Sequence, residues 1–133
     1  MNELGTPEKP LRVAIIGSGP AAFYTAEHLL GRDDLSVQVD MYERLPTPYG
    51  LVRDGVAPDH QSIKAVTRKF EKISHDPRFR YFGNVTIGED LHRDDLLELY
   101  DQVVYAVGTP TDKQMGIPGE DLEGSHSATE FVW

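Results

Sequence analysis

No cysteine occurs anywhere in the 133 residues. Disulfides, thiolate nucleophiles and thiolate-held metals are therefore excluded. Positive charge is scarce, with 13 Lys and Arg against 22 Asp and Glu and a net charge of −9. A phosphate backbone repels such a chain, so broad nucleic-acid binding is disfavoured. No apolar run approaches the roughly 20 residues needed to span a bilayer, so no membrane association is expected. The five histidines are scattered and no two stand at metal-ligand spacing, so no metal is expected. The opening "MNELGTPEKP" has neither the apolar stretch of a signal peptide nor the Arg and Ser richness of a transit peptide. Residues 1–10 are expected to form a disordered lead-in, and the expected compartment is the cytoplasm. What remains is ordinary for one globular domain: 39% apolar and 26% charged residues.

The apolar pattern switches period along the chain. Leu11 to Ile16, "LRVAII", reads as a buried strand bounded by Gly17. Pro20 to Leu30 reads as a helix, with Ala22, Ala26, Leu29 and Leu30 on one face and Pro20 in the first turn. Val37 to Tyr42 is a second strand, which completes a βαβ unit of about thirty residues. Leu45 to Gln61 then breaks the pattern with three prolines and two glycines. This stretch is too long for an ordinary connection and is expected to be functional, ordered by contacts with a ligand. Ser62 to Ser74 reads as a helix that buries Ile63, Val66, Phe70 and Ile73. Phe79 to Phe82 and Val85 to Ile87 read as short strands or one bent strand, Asp94 to Tyr100 as a helix, and Gln102 to Val107 as a buried strand. The remainder is rich in turn formers. Strands alternating with helices imply an α/β fold: a doubly wound, mostly parallel, Rossmann-like sheet with helices on both faces. Ligands of such sheets bind at the carboxyl ends of the strands.

Between the first strand and the first helix stands Gly17-x-Gly19-x-x-Ala22, a dinucleotide fingerprint with alanine in third place. Gly17 permits the tight turn, Gly19 lets backbone and pyrophosphate approach, and Ala22 lets the helix pack closely on the sheet. The helix start offers unpaired N–H groups and the positive end of the dipole to an anion. Glu43 closes the second strand about 20 residues on, where an acidic side chain accepts hydrogen bonds from a ribose. A carboxylate there disfavours a 2′-phosphate by like-charge repulsion, although Arg44 beside it weakens that exclusion. The same residues have plainer readings: Gly17 and Gly19 as an ordinary βα turn, and Glu43 as a solvated strand end.

Four segments carry a resemblance. "GSGPAAFYTAEHLL", "VDMYERLPTPYGLVRDGVAPDH", "YFGNVTIGEDL" and "VVYAVG…IPGEDLEG" run in order over nearly the whole chain. Together they resemble the N-terminal, FAD-binding part of the adrenodoxin-reductase-like ferredoxin–NADP reductases. "PYGLVRDGVAPDH" is the most specific, because its mixed chemistry is hard to produce by chance. The resemblance implies a flavoprotein that passes electrons between NADPH, and so NADP, and a ferredoxin-type iron–sulfur protein. It places Gly17, Gly19 and Ala21 at the FAD pyrophosphate, with Ala22 packed behind them, and Glu43 at the adenosine ribose. It places Gly50, Leu51 and Ile87 at the cofactor, and Gly108 at a second glycine turn flanking FAD. It makes His60 a catalytic candidate that handles a proton near the flavin.

On chemistry alone, several of these residues have a second reading. Gly50, Gly55 and Gly108 serve equally as turn formers, and Arg53 as a surface ion pair. His60 serves as a helix cap or a solvated side chain, Asp59 as a cap, and Leu51 and Ile87 as core. The chain ends about where the family's NADP domain begins, and no second fingerprint follows Gly108. Residues 11–133 are therefore expected to be a truncated FAD domain, inactive alone. The rival readings are a stand-alone nucleotide-binding or sensor module without chemistry, and a fragment of a glutamate-synthase small-subunit-like flavoprotein. Proteins of that second kind normally carry cysteine clusters upstream, and this chain has none.

Overall fold

Strand β1, Leu11–Ile16, sits inside a parallel sheet, which explains its unbroken apolar run. Val13, Ala14, Ile15 and Ile16 are all buried, so both faces of the strand are covered. The computed structural model describes residues 3–56, 59, 60, 62, 65–109 and 111–132. Among them, β1 pairs in parallel with β2, Val37–Tyr42, on one side, with Val13 opposite Val39 and Ile16 opposite Tyr42. On the other side it pairs with β4, Gln102–Tyr105, with Ile16 opposite Tyr105. Strand β3, Phe79–Phe82, adds in parallel outside β2, so the order is β3-β2-β1-β4. The order reverses between β1 and β4, and a crevice opens there at the carboxyl ends of the strands.

Helices cover both faces of this doubly wound sheet. Helix α1, Pro20–Leu30, follows β1. A four-residue helix α2, Leu51–Asp54, interrupts the long proline-rich stretch. Helix α3, Thr67–Ser74, packs beside α1. Their shared core contains Phe23, Ala26, Phe70 and Phe79, with Phe23 and Phe70 stacked at 4.7 Å between ring centroids. Helix α4, Arg93–Leu99, covers the opposite face, where Leu96 and Tyr100 meet Ala14, Ile16 and Tyr42. A short α5, Ala128–Val132, lies near the end of the chain.

The second face holds a buried polar network. Asp40 of β2 is 4% exposed. Its carboxylate receives two hydrogen bonds from Arg80 (2.7 and 2.6 Å) and one from the Tyr100 hydroxyl (2.5 Å). The Tyr100 and Tyr42 hydroxyls lie 2.6 Å apart. A buried carboxylate is tolerated only when paired and fully hydrogen-bonded, and this one is.

Four expectations differ from the structure. Val85–Ile87 forms no ladder: Ile87 makes one isolated parallel bridge with Leu91. Asn84, at φ 56°, turns the chain, and the Val85 N–H bonds back to the Glu43 carbonyl (2.9 Å). Of the helix expected over Ser62 to Ser74, Ser62 is helical and Thr67–Ser74 is a regular helix, but Ala65 and Val66 form a turn between them, while Ile63 lies outside the described residues. Strand β4 ends at Tyr105 rather than Val107, and as an edge strand it is not buried: Val103 and Val104 are half-buried and Gln102 and Tyr105 exposed. The lead-in is tied down from Gly5, whose N–H bonds to Lys9 and whose carbonyl accepts from Ser36 (2.7 Å).

Candidate functional site

The carboxyl ends of β1, β2 and β4 open onto a cleft of about 380 Å³. Gly17, Gly19, Ala21, Glu43, Gly50, Leu51, Ile87 and Gly108 all line it. Eight of the ten site residues singled out in the sequence therefore line one cavity. The two exceptions have different causes. Ala22 is fully buried against the sheet, as its packing role requires. His60 is exposed and lies outside the lining. Pro58 and Gln61, its near neighbours, lie outside the described residues, as does Ala57 of the same motif.

The two fingerprint glycines differ in kind. Gly17 has φ 104°, and a Cβ there would sit 2.3 Å from the Ala106 carbonyl oxygen. Glycine is thus demanded by the chain just beyond β4 passing close by as well as by the turn. Gly19 has an ordinary φ of −78° and is the N-cap of α1, with no side-chain cap. A Cβ there would meet no protein atom within 4 Å. The space it would fill is open cleft at the positive end of the helix. The first bond returning to the turn is Phe23 N–H to the Gly19 carbonyl (3.2 Å). The amides of Ala21 and Ala22 precede that bond and have no partner within the helix. An uncapped helix start facing empty space fits a pyrophosphate.

Glu43 is more constrained than a solvated strand end. Its Oε2 accepts the Ser18 N–H (3.1 Å) and the Ser18 hydroxyl (2.7 Å), and its Oε1 accepts the Leu45 N–H (3.2 Å). Ser18 is 1% exposed. Nearby, the Tyr81 hydroxyl donates to the Leu45 carbonyl (3.3 Å). Burial, reinforced by the negative charge of Glu43, pushes the Tyr81 phenol up to about 12.

Part of the long stretch is packed by contacts from the chain itself. Tyr49 is buried at φ 91°, a strained value for a residue with a side chain. Its ring packs against both Phe23 (5.4 Å) and Phe70 (5.8 Å), and its N–H bonds to the Ser18 carbonyl (3.0 Å). Gly50 follows at φ 52°, where a Cβ would lie 3.1 Å from the Gly19 Cα. This stretch therefore doubles back onto the glycine turn, and Arg53 lies over the Tyr49 ring at 5.0 Å. Sequence reasoning missed Ser18, Thr86, Val107, Thr109 and Thr129 as lining residues. Ser18 alone carried a signal, as a small polar residue fixed between two glycines.

Fold and cleft together define a class: a Rossmann-like α/β domain with a glycine turn opening at the switch point of its sheet. No family model matches the chain. It is 54% identical over 128 residues to NADPH-ferredoxin reductase FprA of Mycobacterium tuberculosis, covering 93% of this chain and 28% of that protein. It is 55% identical over 120 residues to the probable mitochondrial NADPH:adrenodoxin oxidoreductase of Schizosaccharomyces pombe, covering 90% of this chain and 25% of that protein. A solved structure of Mycobacterium tuberculosis FprA in complex with NADPH superposes with a TM-score of 0.86 at 54% identity, again over 93% of this chain and 28% of that one. The chain is a homologue of the adrenodoxin-reductase-like ferredoxin–NADP reductases across the segment that it matches. It spans about a quarter of those relatives' length.

Proposed function

We propose that the chain is the FAD-binding module of a flavoprotein oxidoreductase that transfers electrons between NADPH and a ferredoxin-type iron–sulfur protein. The observation that carries this reading is the uncapped start of α1, open at Gly19, facing a cleft that Glu43 also lines. The names of the relatives support the reductase half of the proposal.

The residues divide the work by chemistry. Ala21 and Ala22 N–H groups and the dipole of α1 bind the pyrophosphate. Gly19 leaves room for it. Glu43 accepts from a ribose hydroxyl. Gly50, Leu51, Ile87 and Gly108 supply the cleft wall and exclude water from the cofactor. When bound, FAD would supply the chemistry that accepts one hydride and releases its two electrons singly. His60 is proposed as the group that handles a proton, a role its exposure permits. Residues 11–133 constitute the dinucleotide-binding domain in this reading. The proposed compartment is the cytoplasm; the fission-yeast relative is named as mitochondrial, and fractionation of cells that make the protein separates the two.

Titration of FAD with the purified chain, read by quenching of flavin fluorescence, tests the cofactor. Saturable quenching is expected, and its absence overturns the reading. One fingerprint seats one dinucleotide, and hydride transfer needs the nicotinamide within about 3–3.5 Å of the flavin. These 133 residues with FAD, NADPH and an artificial acceptor should therefore show no turnover above free FAD. The single fingerprint equally favours the second reading, a nucleotide-binding module without chemistry. A preference for NAD over FAD in the same titration would establish it.

A further inference from the structure

Glu43 is held from every side. Its main-chain N–H donates to the Phe82 carbonyl and its carbonyl accepts from Val85, both at 2.9 Å. Both carboxylate oxygens are engaged by donors of the chain itself, two of them from Ser18. The Ser18 hydroxyl is shielded from solvent and donates to Glu43 at 2.7 Å. Its N–H, which a glycine turn could offer to phosphate, is also directed at Glu43. The turn thus grips a carboxylate that lines the same cleft beside Arg44. A glutamate has three side-chain torsions, and an untethered one at a strand end would turn to water or to a neighbouring cation.

On the reading that the cleft binds an adenine dinucleotide, we propose that Ser18 is a positioning residue that sets ribose specificity. By holding Oε2 it fixes the Glu43 carboxylate against the ligand, where it accepts from a free ribose 2′-hydroxyl and repels a 2′-phosphate. The negative charge is then present at the ribose before the ligand arrives, and discrimination does not depend on the ligand ordering it.

The test measures a ratio. Calorimetric titration gives the affinities of the 133-residue chain for ADP-ribose and for its 2′-phosphate, in the wild type and in Ser18→Ala. The wild type should prefer ADP-ribose. Ser18→Ala should shrink that preference about tenfold, the scale of a lost hydrogen bond to a charged group. Ser18→Cys keeps the bulk and a weak donor, guards against an alanine variant that fails to fold, and should shrink it less. In a Glu43→Gln background, Ser18→Ala should leave the ratio unchanged. A sagging turn would weaken both ligands equally. An unchanged ratio in Ser18→Ala, or an equal change in both backgrounds, therefore overturns the positioning role alone. A wild type that binds neither ligand overturns the dinucleotide reading and this inference with it.

Discussion

Replacing Gly17 and Gly19 separately by alanine should divide folding from binding. At Gly17 the added methyl would sit 2.3 Å from the Ala106 oxygen, 2.8 Å from its carbonyl carbon and 3.2 Å from the Val107 Cα. All three are backbone atoms, so no side chain can rotate away. Backbone strain at φ 104° costs about 1–3 kcal/mol. Overpacking against fixed atoms costs about 1–3 kcal/mol more. Gly17→Ala should therefore lose about 2–6 kcal/mol out of the roughly 5–15 that hold a domain together. At Gly19 the methyl meets open space and φ is ordinary. Gly19→Ala should cost no more than about 1 kcal/mol, the scale of a poorer N-cap, yet should weaken FAD, because the methyl enters the pyrophosphate's space. Urea unfolding followed by circular dichroism gives the first quantity, and flavin fluorescence the second. Equal stability losses at the two glycines would refute the reasoning, as would a Gly19→Ala chain with wild-type affinity.

Three further outcomes are expected. Glu43→Ala should weaken FAD by about 1.5–3 kcal/mol, the worth of a charged hydrogen bond, in the same fluorescence titration. Tyr100 has its ionisation pushed far up by burial and by its bond to Asp40, so the fold favours the neutral phenol. Its contribution is whole below the unfolded tyrosine pKa of about 10 and is lost as pH rises beyond it. Tyr81, pushed up to about 12, acts in the same direction. Urea midpoints should fall above pH about 10, and Tyr100→Phe should blunt that fall. His60→Ala should leave FAD affinity unchanged, since His60 is exposed and outside the cleft lining; a weakened titration would place it at the cofactor.

Local patterns made β1, α1, β2 and β3 readable to the residue. Each is a run of one period closed by a glycine, a proline or a charged residue. The glycine turn and Glu43 were legible because their spacing along the chain follows from the βαβ geometry itself. The rest depends on contacts that no local pattern encodes. Asp40 looks like a misplaced charge in an apolar strand until Arg80 and Tyr100 arrive from 40 and 60 positions away. Tyr49 reads as a loop residue because its strained backbone is stabilised by Phe23 and Phe70, which belong to other elements. Phe23 itself, fully buried, was missed on α1 because the small residues around it drew the face too narrowly. Val85–Ile87 has strand-like composition, but the turn at Asn84 carries it away from any partner strand.

The Asp40 network has a consequence for anyone altering this chain by mutation. Its members are one unit of inheritance. Removing Arg80 alone strands the buried Asp40 charge, and removing Tyr100 alone takes away one of its three hydrogen bonds, whereas replacing the buried Asp40 together with its partners can be neutral or better. Single-site libraries will therefore score positions 40, 80 and 100 as intolerant, and tolerant combinations will emerge only when the three are randomised together, with Tyr42 as a fourth. In a set of diverged sequences the same positions should change jointly, leaving a covariation signal on the face of the sheet opposite α1.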